Sequence, residues 1–468
     1  MVFSTLTFLC LFFPLVVFSY FLCKNRTYKN VVLLIFSLLF YAWGEPKHII
    51  LMLLAVLVAY IGGLLIDKFE KSQKFKLKKT VFIITIVILT LNLFIFKYLN
   101  FVVENVNAVF DDLLKIKNIA LPIGISFYTF QILSYVIDLY KKEVSVQKNY
   151  FYLALYLSFF PQLIAGPIVR YQTVELEIRE RQENWEEIVY GLRRFIVGLS
   201  KKVIIANNVG YIATMIFEGD KSAYGANFYW LAAIAYALQI YFDFSGYSDM
   251  AIGIGRIFGF HFLENFNYPY ISKSITDFWR RWHISLSTWF RDYIYIPLGG
   301  NRVKKARWLF NILVVWALTG FWHGAQWNFL LWGLYYAVIL IIEKLFLSKF
   351  LEKIPAFFSW LYAMVLVLIG WVIFSITDIH QLAAALTHMF SFEFTSMSDA
   401  VIADVTILNA FIYIPLGIIC MLPWAKKIFT KRTKALEITK NIACVALLGT
   451  CIVFILSSHY NPFIYFRF

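Results

Sequence analysis

Ile49-Ile50-Leu51-Met52-Leu53-Leu54-Ala55-Val56-Leu57-Val58-Ala59-Tyr60-Ile61-Gly62-Gly63-Leu64-Leu65-Ile66 runs without a charge, and the lysines Lys68, Lys71, Lys74, Lys76, Lys78 and Lys79 follow it directly. A helix rises 1.5 Å per residue, so about 20 apolar residues cross the ~30 Å hydrocarbon layer. The pattern of apolar run and basic loop recurs along the whole chain. Of its 468 residues 61% are hydrophobic and 15% charged, where soluble domains average about 45–50% apolar and about 25% charged. The expectation is an all-α, polytopic membrane protein with about ten to twelve transmembrane helices, plus re-entrant or interfacial helices. Candidate spans lie near 2–22, 30–43, 49–66, 80–101, 119–139, 150–168, 186–214, 226–243, 308–325, 327–347, 355–376, 408–424 and 440–458. Residues 1–468 read as one integral membrane domain: N-terminal spans over 1–118, a core over 119–345 and C-terminal spans over 346–468.

The formal charge is +15. Its Lys and Arg sit in short loops between apolar runs, so the charge reports topology and not a nucleic-acid surface. With the N-terminus outside, Lys24, Arg26 and Lys29, then Lys68 to Lys79, then Lys141, Lys142 and Lys148 all fall on the cytoplasmic side. So do Arg302, Lys304, Lys305 and Arg307, and Lys426 to Lys434, while the acidic stretch 377–407 falls outside. The five cysteines lie in or beside apolar runs, with neither a metal-ligand spacing nor a disulfide framework.

Between about 150 and 300 this bookkeeping becomes ambiguous. Polar and proline-containing words interrupt the apolar pattern: Pro161 to Pro167, Tyr241-Phe242-Asp243-Phe244-Ser245-Gly246-Tyr247-Ser248-Asp249, and 262–303. Irregular backbone at membrane depth is tolerated only where protein buries it or a cavity borders it. A central cavity is therefore expected here.

Two histidines stand in this region. His323 lies in Gly320-Phe321-Trp322-His323-Gly324-Ala325, flanked by glycines that permit close backbone approach and walled by Trp322 and Trp327. A buried neutral imidazole can take a proton from a hydroxyl. It can equally be a structural histidine bonded to a neighbouring carbonyl. His283 lies in Asp277-Phe278-Trp279-Arg280-Arg281-Trp282-His283-Ile284-Ser285-Leu286-Ser287. If helical, that stretch puts Trp279, His283 and Ser287 on one face, either as an interfacial helix or as a cavity wall. Asp243 and Asp249, around Ser245 and Tyr247, can orient a histidine or pair with Arg280, Arg281 or Arg291. The basic clusters Arg193/Arg194/Lys201/Lys202 and Arg302/Lys304/Lys305/Arg307 suit either a phosphate-bearing donor or anionic headgroups. No metal site is expected, because the histidines are 40 residues apart with no third ligand fixed by spacing.

These words in this order resemble the membrane-bound O-acyltransferase family, alginate O-acetyltransferase-like branch. The match runs through Leu121-Pro122-Ile123-Gly124-Ile125-Ser126-Phe127-Tyr128, Phe160-Pro161-Gln162-Leu163-Ile164-Ala165-Gly166-Pro167, Tyr241 to Asp249, Asn265-Phe266-Asn267-Tyr268-Pro269-Tyr270, Phe278 to Ser287, Tyr295-Ile296-Pro297-Leu298-Gly299-Gly300-Asn301 and Phe321-Trp322-His323-Gly324. The resemblance implies a helix bundle around a central funnel, with His323 as the essential catalytic residue and His283 supporting it. Trp279, Arg280, Trp282, Ser287, Trp322, Asp243, Ser245 and Tyr247 would serve substrate binding. It implies no permanently bound cofactor. It further implies a cytoplasmic thioester donor such as acetyl-coenzyme A, a polysaccharide acceptor, an extracytoplasmic SGNH-hydrolase-like partner and a place in the bacterial inner membrane. D-Alanyl transfer to teichoic acid, a transporter and a non-enzymatic scaffold are the competing readings. Transporters often show paired halves, and no internal repeat is visible here.

Overall fold

The computed structural model describes all residues except 112, 117, 220–223, 425–432, 458–459 and 463–468. Every regular element among the described residues is a helix. Six are long and apolar enough to cross a bilayer: Arg26–Gly44, Ile49–Lys71, Phe75–Lys97, Trp327–Leu351, Ala356–Ser375 and Lys434–Ser457. Thr7–Phe21 and Val405–Cys420 are shorter apolar helices. Several expected spans are therefore broken or shortened. The run 119–139 becomes helical only from Ile125. The run 150–168 breaks at Phe159, between Tyr150–Ser158 and Phe160–Leu163. Gln162, buried in that break, bonds the Tyr156 carbonyl, and the Tyr156 hydroxyl bonds the Val169 carbonyl at 2.9 Å. The backbone groups released by the break thus find internal partners, as an apolar surrounding demands.

The chain forms two compact units, Met1–Phe195 with Met250–Leu263, and Ile196–Asp249 with Glu264–Phe468. In the first, a polar knot joins segments far apart in sequence. The buried Arg181 guanidinium donates to Asn30 Oδ1 at 2.7 Å, to the Phe258 carbonyl at 2.9 Å and to the Tyr20 hydroxyl at 3.0 Å. Glu183 accepts from Arg26 at 2.6 Å, from Lys29 at 3.0 Å and from Tyr20. Burial pushes the Glu183 carboxyl upward, but these three donors outweigh it and hold it at about 2.

The second unit holds both histidines. Its helices are α1 (Ala226–Ile257, its first 24 residues), α2 (Ile275–Arg281), α3 (Ile284–Phe290), α4 (Lys305–His323), α5 (Trp327–Ile342) and α6 (Ala356–Ser375). The word 241–249 was expected to interrupt the membrane pattern, yet it lies inside the continuous α1. Its charges explain the outcome. Asp243 pairs with Lys202 at 2.8 Å and Asp249 with Lys201 at 2.6 Å. Both lysines stand on a π-helical turn, Lys201–Ala206. Gly246 brings the two elements together, since a Cβ there would lie 2.7 Å from the Gly198 carbonyl. Lys201 and Lys202 are therefore counter-ions to α1, not the free phosphate cluster considered from sequence.

The α4–α5 hairpin is the tightest pairing in this unit. A Cβ on Gly320 would sit 2.2 Å from the Phe329 carbonyl, and one on Gly333 2.3 Å from the Trp316 carbonyl. Only glycine permits this backbone contact, which seats His323 at the last turn of α4 beside α5.

Candidate active site

The helix α2 is only seven residues long and could not persist alone. Ser274 caps it, accepting the Asp277 N–H at 3.0 Å. A second cap comes from Glu343, at the end of α5 and fully buried. Its carboxylate accepts the Ile275 N–H at 2.7 Å, the Thr276 N–H at 2.8 Å and the Thr276 hydroxyl at 2.6 Å. A carboxylate against helix N-terminal N–H groups gains from hydrogen bonds and the helix dipole together. In the sequence this glutamate is a lone acid at the end of an apolar run, and acids at such positions are functional candidates.

The expectation of one helix through His283 does not hold. His283 has φ +43° and ψ +57°, left-handed geometry that separates α2 from α3. A β-carbon is crowded there, and such strain persists only where the surroundings impose it. Asn265 imposes it. Its carbonyl accepts the Ile284 N–H at 3.0 Å, and its side-chain oxygen accepts the Ser285 N–H at 3.1 Å. The break turns Trp279, His283 and Ser287 toward one cavity, even though no single helix carries them.

That cavity has a volume of about 300 Å³. Both His283 and His323 border it, along with Trp279, Trp282 and Ser287. The rings are enclosed by aromatics. His323 meets Trp322, Trp332 and Phe374 edge-on at 5.0–5.1 Å between centroids. His283 meets Phe244 at 4.5 Å and Trp322 at 6.0 Å. Trp322 therefore touches both imidazoles without itself lining the cavity. The histidines are 2% and 6% exposed. His283 stands outside the six apolar spans, and burial first, then the charge of His323, hold its imidazole well below its ordinary range. It is neutral at neutral pH.

Three cations line the same cavity: Arg280, Arg291 and Lys344. Arg291 pairs with Asp292 at 2.7 Å, whereas Arg280 and Lys344 form no ion pair among the described residues. The cluster Arg302/Lys304/Lys305/Arg307 does not line it. Nor do Asp243, Ser245 and Tyr247, which are buried along α1. Asp243 pairs with Lys202, not with Arg280, Arg281 or Arg291; Arg281 is taken by Asp277 at 3.0 Å. Asn265, Thr276, Trp316, Thr319, Glu343 and Lys344 are site residues to which the sequence alone assigns no role, and Arg291, expected as a possible partner of Asp243 or Asp249, pairs with Asp292 instead.

The cavity is mostly apolar, with two buried imidazoles and three cations on its wall. A model of the membrane-bound O-acyltransferase family matches residues 139–380, more than half of the chain and every residue of the cavity. The chain belongs to the membrane-bound O-acyltransferase family. It is a multi-pass membrane acyltransferase, and within the family it falls in the alginate O-acetylase-like branch. It is 40% identical over 417 residues to a protein of Azotobacter vinelandii named "Probable alginate O-acetylase", covering 87% of this chain and 82% of that one. Over its full length it is 31% identical to the peptidoglycan O-acetyltransferase of Helicobacter pylori, covering 98% of that protein. Similarity to the teichoic acid D-alanyltransferase of Bacillus subtilis is 32% over 255 residues, 51% of this chain and 62% of the relative.

Proposed function

We propose that this protein takes an acetyl group from acetyl-coenzyme A at the cytoplasmic face and delivers it across the bacterial inner membrane for O-acetylation of a secreted or cell-surface polysaccharide. An extracytoplasmic SGNH-hydrolase-like protein is the proposed partner in the final transfer. The observation that carries the reading is the cavity shared by His283 and His323, with Arg280 and Lys344 unpaired by any acid on its wall. Coenzyme A bears phosphates that such cations attract. Its thioester is already activated, so the protein need only align donor and hydroxyl and exclude water.

The chemistry follows from the residues present. The hydroxyl oxygen forms the new bond to the acyl carbon, the carbon–sulfur bond breaks, and the hydroxyl proton passes through imidazole to the departing thiolate. His323 takes that proton or transiently carries the acyl group. His283 orients the acceptor or stabilises developing negative charge. Acetyl transfer is preferred to D-alanyl transfer because the similarity to O-acetyltransferases extends over most of the chain, and that to the D-alanyltransferase over half.

The test is ester analysis of cell-surface polymers from strains with the gene, without it and with His323→Ala. Loss of acetyl esters in the last two, with the variant at normal membrane levels, is the expected result. Full acetylation by His323→Ala, or loss of D-alanyl in place of acetyl esters, overturns the proposal.

A further inference from the structure

We infer that Asn265 locks His283 in the tautomer that carries its proton on Nδ1, so that His283 serves the transfer as a hydrogen-bond acceptor through Nε2. Asn265 is then a positioning residue that acts through His283. The assignment refines the proposed acyl transfer and depends on it for its kinetic arm alone.

The argument begins with a group whose role is not open to choice. The backbone N–H of Ser285 can only donate, and it lies 3.1 Å from one terminal atom of the Asn265 amide. That atom is therefore the carbonyl oxygen, Oδ1. The other terminal atom, the amide nitrogen, donates to Ser248 Oγ at 3.3 Å, in agreement. The same Oδ1 lies 3.2 Å from His283 Nδ1. Two lone pairs would repel at that distance, so Nδ1 carries hydrogen and donates. Ser285 Oγ completes the arrangement: it donates to Oδ1 at 2.9 Å and turns its own lone pairs toward Nδ1, 3.4 Å away. In a neutral imidazole protonated at Nδ1, Nε2 holds a bare lone pair. In His283 that atom is buried and has no hydrogen-bond partner among the described residues.

The ring cannot readily turn to exchange its two nitrogens. Phe244 and Trp322 flank it, and Asn265 grips the residues on its C-terminal side through main chain and side chain together. Of these neighbours none titrates. Around the same cavity stand His323 on α4, whose charge reaches His283, with Arg280, Arg291, Tyr295 and Lys344, while Asp243, next to Phe244 on α1, is paired with Lys202.

The consequence divides the labour. A ring presenting a lone pair cannot stabilise an oxyanion, so of the two roles open to His283 only the orientation of a hydroxyl remains. The O–H of the acceptor points at Nε2. As its oxygen bonds the acyl carbon and the carbon–sulfur bond breaks, the proton moves to Nε2 and from there to the thiolate. His323 is left to act on the acyl group.

Two measurements decide it. The full chain is labelled with 15N-histidine and placed in lipid nanodiscs, and the His283 resonances are assigned by their loss in His283→Asn. A protonated Nδ1 and bare Nε2 are expected; a proton on Nε2 overturns the assignment. This readout needs no turnover, so it stands even if acetyl-coenzyme A is not the donor, an outcome that removes the proposed function and leaves the tautomer to be judged on its own. The second is Asn265→Asp, which keeps the shape and the main-chain bonds but sets a carboxylate against Nδ1. It raises the pKa of His283 in the folded protein, and the neutral ring is lost below that value. The acid limb of the kcat profile should move up by one pH unit or more, with KM for acetyl-coenzyme A changed less than threefold. An unchanged limb, or a KM effect alone, overturns the role given to Asn265.

Discussion

Residues 241–249 and residues 265–287 carry similar polar loads inside an apolar chain, and the protein treats them in opposite ways. The first stretch stays helical: Asp243 and Asp249 each meet a lysine, and Gly246 lets the partner helix close upon them. The second is broken at a strained residue, His283, whose Nε2 has no hydrogen-bond partner among the described residues. A polar group at membrane depth that is fully neutralised serves the fold. One held in a strained backbone with an unmet hydrogen-bonding atom beside a cavity is where chemistry is to be sought. The same test separates the lysines: Lys202 is committed to Asp243, while Lys344 borders the cavity and its neighbour Glu343 is taken up by the start of α2.

The comparison is sharpened most by His323→Ala. Loss of the imidazole that acts on the acyl group should lower acetyl transfer per molecule by well over about tenfold while the protein remains in the membrane. A fall below tenfold would move the chemistry elsewhere. Next is Asp243→Asn, which strands the Lys202 cation; breaking a buried pair costs about 3–5 kcal/mol. The melting temperature in detergent should drop sharply, and Asp243→Asn with Lys202→Met should restore most of it. If turnover collapses while melting is unchanged, 241–249 belongs to the site after all. Glu343→Ala removes the acceptor of three hydrogen bonds at the start of α2, where bonds to charged groups are worth about 1.5–3 kcal/mol each before the site relaxes. Both melting and turnover should fall, and an effect on neither would show that α2 is held by other contacts. Arg280→Ala with Lys344→Ala should raise KM for acetyl-coenzyme A about tenfold with kcat nearly intact, since charges at a site's rim act mainly on encounter and binding.

The smallest effect lies in the other unit. Glu183 has its carboxyl depressed from 4.5 to about 2. A depressed acid stabilises the fold above its unfolded pKa and loses that contribution as pH falls through its folded value. Stability should therefore decline between about pH 4.5 and about 2, and Glu183→Gln should flatten that part of the curve. An unchanged slope would mean that other carboxylates govern it.

Composition and the spacing of basic loops suffice for an all-helical membrane protein, because burying apolar residues in lipid depends on residue type and run length alone. The order of short words around His283 and His323, through its resemblance to the membrane-bound O-acyltransferases, likewise points to acyl transfer. What neighbouring residues could not reveal were the partners. Asp243 meets Lys202, Glu343 caps a helix 67 residues earlier in the chain, and Asn265 sets the backbone and the proton of His283. Hydrogen bonds and ion pairs depend on ångström distances and on direction, and for residues far apart in sequence only the folded chain supplies either one.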